Sequence, residues 1–130
     1  MGLVLITSTT TMLSDGSVNA TANFGSGTVN ITMSDFTATN PLGSIISNPE
    51  VTSVQITGSQ ISGNAFSGGN VVYSNANGTT NLLGNNGTTT VMGNFYGFDA
   101  TQGIPDELGG IILGIGDNNI VTISGVFVAD

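Results

Sequence analysis

The stretch Val18-Asn19-Ala20-Thr21-Ala22-Asn23-Phe24-Gly25-Ser26-Gly27-Thr28-Val29-Asn30-Ile31-Thr32-Met33 decides the fold. Val18, Ala20, Ala22 and Phe24 alternate with polar residues at the period of a strand. Val29, Ile31 and Met33 then repeat the pattern on the far side of a short loop. Successive strand side chains point to opposite faces, so each segment has one apolar and one wet face. Gly25-Ser26-Gly27 supplies a tight connection, and the two segments read as an antiparallel hairpin.

The same pattern continues outward along the chain. Leu3 to Ile6 is a short apolar run that reads as a first strand. Met1 to Thr11 lacks the basic leading region and long apolar core of an export signal, so such a signal is expected to have been removed or to lie on a larger parent chain. Further strands are expected over Val51–Ile56, with Val54 and Ile56 inward, over Ile61–Phe66, and over Gly69–Tyr73 after a Gly68-Gly69 break. The last three are expected at Thr90–Gly97, Leu108–Ile115 and Ile120–Val128.

Asn40-Pro41-Leu42-Gly43 and Asn48-Pro49 mark loops, because proline lacks the amide hydrogen that a sheet ladder needs. Asn75–Thr90 reads as a long hairpin tip, with Asn85-Asn86-Gly87 a strong turn signal. Gly116-Asp117-Asn118-Asn119 joins the last two strands. Helix is confined to one turn at most within Asp99–Leu108, where Gly103 and Pro105 interrupt it. About eight strands at spacings of roughly 8–12 residues point to an all-β barrel or sandwich. An up-and-down antiparallel barrel is preferred, since closure removes edges that a sheet without basic gatekeepers would expose. The 130 residues are expected to form this single barrel domain, residues 1–130.

Charge narrows the function. The chain has no Lys, Arg, His or Cys, and its eight charged side chains are Asp15, Asp35, Glu50, Asp99, Asp106, Glu107, Asp117 and Asp130, giving a net charge of −8. Phosphate backbones and anionic lipid surfaces are bound mainly through Lys and Arg, so nucleic-acid and electrostatic membrane binding are excluded. Without cysteine there is no disulfide, thiol chemistry or thiolate-held metal. A surface of Asn, Thr, Ser and Gly with scattered carboxylates suits an extracellular setting.

Nor does the composition suit an enzyme or a cofactor. General acid–base and nucleophilic catalysis usually rely on a group titrating near neutrality or on an activated serine, and the chain has no His or Lys to serve. Asp106 and Glu107 are the only adjacent carboxylates. Neighbours on one turn are poorly placed to flank a glycosidic bond, so turn capping by Asp106 and amide bonding by Glu107 is the preferred reading. Calcium is the one metal that oxygen ligands alone could hold, and Asp15-Gly16, Asp99 and Asp117-Asn118-Asn119 lie beside expected turns. Asp and Asn side chains that close turns on their own backbone account for each of these more simply. Phe24, Phe36, Phe66, Phe95, Tyr96, Phe98 and Phe127 mostly follow strand alternation and are assigned to the core, whereas Tyr73, near the polar hairpin, is expected to be freer.

Five short segments carry a family resemblance. They are Ala22–Val29 around Phe24, Gly25 and Gly27; Ile61–Gly68 with Phe66 and Gly68; Gly93-Asn94-Phe95-Tyr96-Gly97; Glu107-Leu108-Gly109-Gly110; and Ile123–Phe127 with Gly125 and Phe127. In this order they resemble the barrel of transferrin-binding protein B and related bacterial surface lipoproteins. The resemblance spans Ala20 to Phe127. Phe98 stands where that family has Pro, and the connector Asp99–Asp106 is longer. The resemblance implies a scaffold on the cell surface or outer membrane that contacts a protein partner through loops or a separate handle domain, and none of these 130 residues is expected to form a handle domain.

The expected function is therefore a non-catalytic, secreted or surface-displayed binding module without a cofactor. Its contact surface is expected on the polar loops Thr37–Asn48 and Asn75–Thr89. The alternative is a structural subunit of an extracellular assembly, self-associating by strand addition through Leu3–Ile6 or Thr122–Val128.

Charge also sets the response to salt. Eight carboxylates without an opposite side-chain partner repel one another in any compact state, so screening should stabilise the fold. The melting temperature is expected to rise between about 0.01 M and 0.5 M sodium chloride, mostly as the Debye length falls from about 30 Å to about 10 Å. A fall would refute the repulsion argument, and a rise with calcium alone would implicate a metal site.

Overall fold

The computed structural model describes residues 2–7, 11–46, 51–75, 78, 83, 87–97, 105–117 and 122–129, and none of them is helical. They form β1 (Gly2–Thr7), β2 (Thr11–Asn23), β3 (Thr28–Thr39), β4 (Ile45–Ile46), β5 (Ser53–Ser62), β6 (Ala65–Ser67), β7 (Asn70–Ser74), β8 (Thr88–Tyr96), β9 (Glu107–Ile115) and β10 (Thr122–Ala129). β6 and β7 continue one another across Gly68-Gly69, and β4 is a two-residue ribbon on β3. Eight antiparallel strands therefore make the wall, each beside its neighbour in the chain: an up-and-down barrel. β1 closes it, pairing with β2 on one side and with β10 on the other, from Gly2↔Phe127 to Thr7↔Thr122. Closure is nearly complete: β6 pairs with β8, but β7 pairs only with β5 among the described residues, so the wall parts between β7 and β8.

The opening hairpin follows its alternation over Val18–Ala22 and Val29–Met33, but β2 ends at Asn23, so Phe24 stands in the turn and is 41% exposed instead of continuing the inward face. Val29, Ile31 and Met33 are fully buried, and Val18, Ala20 and Ala22 pack against them from β2. Val54, Ile56, Phe66, Val91, Phe95, Leu108, Ile112, Ile123 and Phe127 complete the interior. Each such side chain contributes about 1.5–3 kcal/mol on leaving water.

Two bulges bend the wall. Gly16 faces both Asp35 and Phe36, with Asp35 at φ 57°, and beyond this point the inward positions of β3 change from odd to even numbers, Phe36 and Ala38. A side chain at Gly16 would run into the Phe36 ring, which fixes the small residue there. Asp15-Gly16 thus belongs to a strand, not to a turn. At the second bulge the Gly58 amide donates to Asn30 Oδ1 at 2.8 Å.

Other differences from the sequence reading have simple causes. Ile61–Phe66 is not a strand but the hairpin where β5 turns into β6 at Gly63-Asn64, because Gly63 takes a positive φ that breaks the run. Asn48-Pro49, Asn85-Asn86, Asn118-Asn119 and most of the 99–108 connector lie outside the described residues, while Pro105-Asp106 leads directly into β9.

Tyr73 is the clearest correction. It is 3% exposed, and its Oη lies 3.1 Å from Thr89 Oγ1, bridging the β7–β8 opening. Gly114 on β9 leaves the space for its hydroxyl, since a Cβ there would stand 2.7 Å from Oη. Burial raises the Tyr73 pKa above the ordinary tyrosine value, partly offset by the Thr89 hydrogen bond. Tyr73→Ala is expected to cost about 3–5 kcal/mol in urea melts, and Tyr73→Phe about 1 kcal/mol. A raised folded pKa favours the neutral form, so this contribution is whole below about pH 10 and is lost as pH rises from there through the folded value. Wild type should lose stability between pH 9 and 11 more steeply than Tyr73→Phe, and equal slopes would contradict the burial.

Candidate functional site

The residues of the five sequence segments converge on one side of the barrel. Phe24 lies 5.1 Å from Phe95 between ring centroids, Phe95 5.5 Å from Phe66, and Phe66 6.2 Å from Phe127, all tilted. This chain of rings runs from the β2–β3 turn to the last strand, β10. Such pairs add about 0.5–1.5 kcal/mol beyond area burial. Gly93 and Gly110 are register partners on β8 and β9. A Cβ on Gly93 would enter the Phe66 ring, and one on Gly110 would stand 2.7 Å from Phe127 Cζ. The rings fill the space of the missing side chains.

The remaining segment residues frame this cluster. Gly25 and Gly27 form the β2–β3 turn, where the Gly27 amide donates to the Asn23 carbonyl at 2.8 Å. The Gly68 amide donates to the Val91 carbonyl at 3.0 Å, at the upper limit of the β6–β8 ladder. Gly97, at φ 67°, has the Asp106 carboxylate packed over its Cα. Gly125 sits opposite Ile112. Tyr96, assigned to the core with the other aromatics, follows the inward Phe95 by one residue and so lies on the outer wall; it and its partner Glu107 are both exposed. Among the described residues no backbone amide bonds the Glu107 carboxylate, contrary to the sequence expectation.

Outside the barrel, Gly109 leaves a notch. Its missing Cβ would lie 3.3 Å from Tyr96 Cε2 and 3.7 Å from Val128 Cγ2, so the tyrosine ring lies across the strand against Val128. A groove of about 800 Å³ opens over this notch, with Met92, Ile111 and Val126 along it and Ala65 and Ser67 at its side.

A second surface is the end of the barrel carrying the β3–β5 and β7–β8 connections, which the alternation of strand direction places together. Thr52 donates to the Ser74 carbonyl through its amide at 2.7 Å and its hydroxyl at 3.1 Å, joining the bases of the two connections. The Asp117 amide donates to the Leu83 carbonyl at 3.0 Å, tying the second connection to the β9–β10 turn. In the first, Asn40 Oδ1 accepts the amides of Leu42 and Ser44, both at 3.0 Å, and the Asn40 amide donates to the Ser44 carbonyl at 2.9 Å. This turn holds Leu42 at 91% exposure, with Ile45 at 75%.

The expected loops Thr37–Asn48 and Asn75–Thr89 thus share one end. Thr37–Thr39 still belong to β3, and Thr88 and Thr89 to β8. The apolar tips Leu42 and Ile45 were missed by a reading that treated the loops as polar, although a Leu inside an Asn-Pro-Leu-Gly turn has no strand face to hide it. Also missed was the outer groove, which the consecutive Ile111-Ile112-Leu113 signals, since such a run puts apolar side chains on both faces of a strand. Among the described residues no three carboxylates come together to hold a metal; Asp15 lies on β2, Asp117 at the β9–β10 turn, and Asp99 outside the described residues.

The architecture defines a small up-and-down barrel with a packed interior, presenting loops at one end. The chain belongs to the family of the C-lobe and N-lobe β-barrels of Tf-binding protein B, whose model matches residues 5–130. Neither a curated protein nor a solved structure matches the chain.

Gly93→Ala is expected to cost about 1–3 kcal/mol in denaturant melts, as for overpacking in a filled interior. Gly25→Ala, whose Cβ would touch only the Asn23 side chain, should cost less than about 1 kcal/mol. In a Phe66→Leu background the Gly93→Ala cost should shrink, because neighbours that share one space are non-additive. Strict additivity would show that the ring does not occupy the glycine's space.

Proposed function

We propose that the chain is a non-catalytic binding barrel, secreted or displayed at the bacterial cell surface, that contacts a protein partner through its loop end. The observation that carries this reading is Leu42: a large apolar side chain held in water by an ordered Asn40 turn, with Ile45 beside it. An apolar side chain gains by burial and not by exposure, and ordering it in advance lowers the entropy cost of docking. Transferrin, the partner in the family's name, is the first protein to test. Strand addition through β1 or β10 is less favoured, since both already have partners on either side within the chain.

The test is biolayer interferometry with the immobilised chain against transferrin and against other extracellular proteins, comparing wild type with Leu42→Ser/Ile45→Ser. The double variant should melt within about 1 °C of wild type, as surface substitutions do. It should also bind its partner at least about tenfold more weakly, the usual scale for losing an apolar anchor. Unchanged binding would remove the loop end from the interface.

A further inference from the structure

We propose that the apolar groove on the outer wall of β6, β8, β9 and β10 is a docking site for a short segment of a cationic protein, with apolar side chains seated along the Met92–Ile111–Val126 row and a Lys or Arg against Glu107. This goes beyond the loop-end reading and does not depend on it. The surface lies on the side of the barrel.

The outer wall is divided in two. On β2, β3 and β5 the outward residues are polar: Ser17, Asn19 and Thr21, then Asn30 and Thr32, then Gln55 and Thr57. On β8, β9 and β10 they include Met92, Tyr96, Ile111, Leu113, Val126 and Val128, each 40–54% exposed. Met92↔Ile111 and Ile111↔Val126 are register pairs, so these three form one continuous apolar row. In the row Asn94–Gly109–Val128 the central side chain is missing, and the wall there is a concave groove. Contiguous exposed apolar surface of this kind marks an interaction site.

Size and charge choose the occupant. Four strands about 4.8 Å apart span roughly 14 Å, and the rows from Met92 to Tyr96 span about the same at roughly 3.4 Å per residue. That matches about four or five residues of a polypeptide and falls well short of the ~800 Å² per partner of a standard interface, so a second copy fits poorly. A second copy would also bring its own charge of −8. An anionic lipid surface is repelled in the same way. Glu107 does not line the groove but stands exposed one row beyond it, as the register partner of Tyr96, which does, and the chain has no cationic side chain to neutralise it. A cationic segment supplies both the apolar contacts and the missing opposite charge.

The chain has no tryptophan, so a peptide tryptophan reports binding without background. The probe is the acetylated, amidated peptide Lys-Leu-Trp-Leu-Lys, with Glu-Leu-Trp-Leu-Glu and Lys-Ser-Trp-Ser-Lys as controls, titrated with the full chain at about 10 mM salt, where exposed charges are least screened. A saturable blue shift is expected for the first peptide, with affinity at least about tenfold above either control, a separation of about 1.4 kcal/mol.

Ile111→Thr/Val126→Thr keeps β-branched residues in the strands and, provided it melts cooperatively, should lose at least about tenfold in affinity. Glu107→Gln should weaken binding several-fold and reduce its salt dependence. Leu42→Ser should leave it unchanged, which separates this site from the loop end. Equal affinity for the acidic peptide, or no effect of either wall variant, would overturn the proposal. So would sedimentation showing a dimer abolished by Ile111→Thr/Val126→Thr, or binding to phosphatidylcholine vesicles with the same dependence, since the wall would then serve a second copy or a membrane.

Discussion

Two aromatic rings set the form of this barrel. An eight-stranded barrel has an interior only wide enough to be filled by its own side chains. Phe66 and Phe127 enter it from strands on either side of β8 and β9, and they fit because Gly93 and Gly110, paired across those strands, bring no side chains of their own. Interiors packed to crystal-like density transmit such a constraint to their neighbours. Phe95 then tilts onto Phe66, and Phe24 at the β2–β3 turn covers Phe95, so the β2–β3 hairpin is tied through these rings to the last strand, β10. Glycine also has an external consequence. At Gly109, one residue along and facing outward, the missing side chain notches the surface that Tyr96 partly covers.

Without a basic side chain, the fold relies on neutral bonds to fix its irregular parts. Asn30 holds the Gly58 bulge, Asn40 holds the β3–β4 turn, Thr52 joins two connections, and Tyr73 spans the opening between β7 and β8 through Thr89. Each such bond is worth about 0.5–1.5 kcal/mol net, against the larger return from the apolar interior. Ser59 is the exception: its hydroxyl is fully buried and has no partner among the described residues. It lies beside Gly58, where β5 bends, and its backbone is crossed closely by Gly69, so the corner allows a small residue and little else. The unsatisfied hydroxyl and the missing β7–β8 ladder fall in one region. Among the described residues no ladder joins β7 to β8, and fewer backbone bonds lower the cost of local opening.

The fold was legible where the period-two pattern was clean. Val29, Ile31 and Met33 were assigned inward from alternation and are buried, while the Gly-rich turn before them takes in Phe24 as well as Gly25-Ser26-Gly27. Alternation fails at a bulge, since one extra residue moves every later side chain to the other face, and nothing in Ser34-Asp35-Phe36 announces that Asp35 takes a positive φ. Tyr73 was misjudged because its neighbours Ser74 and Asn75 look like loop, whereas its environment is made by Thr89 and Gly114, distant in sequence. The candidate site was half legible. Loop positions followed from Pro, Asn and Gly, but which loops share an end depends on the strand count, and Leu42 owes its exposure to a turn geometry that only the fold displays.

The same composition limits how this surface can recognise anything. Specificity by charged donors is closed to a chain without Lys, Arg or His, and its carboxylates can only accept hydrogen bonds or attract cations. The neutral amides and hydroxyls of Asn, Thr and Ser on β2, β3 and β5 are well hydrated and gain little by exchanging water for a partner. Shape and apolar burial are left to give discrimination, and the structure exposes ordered apolar side chains at the Leu42–Ile45 tip and on the wall from Met92 to Val128. One is a protrusion suited to entering a partner's pocket, and the other is a groove suited to receiving a partner's side chains. They lie on different parts of the barrel, so a partner engaging one leaves the other open.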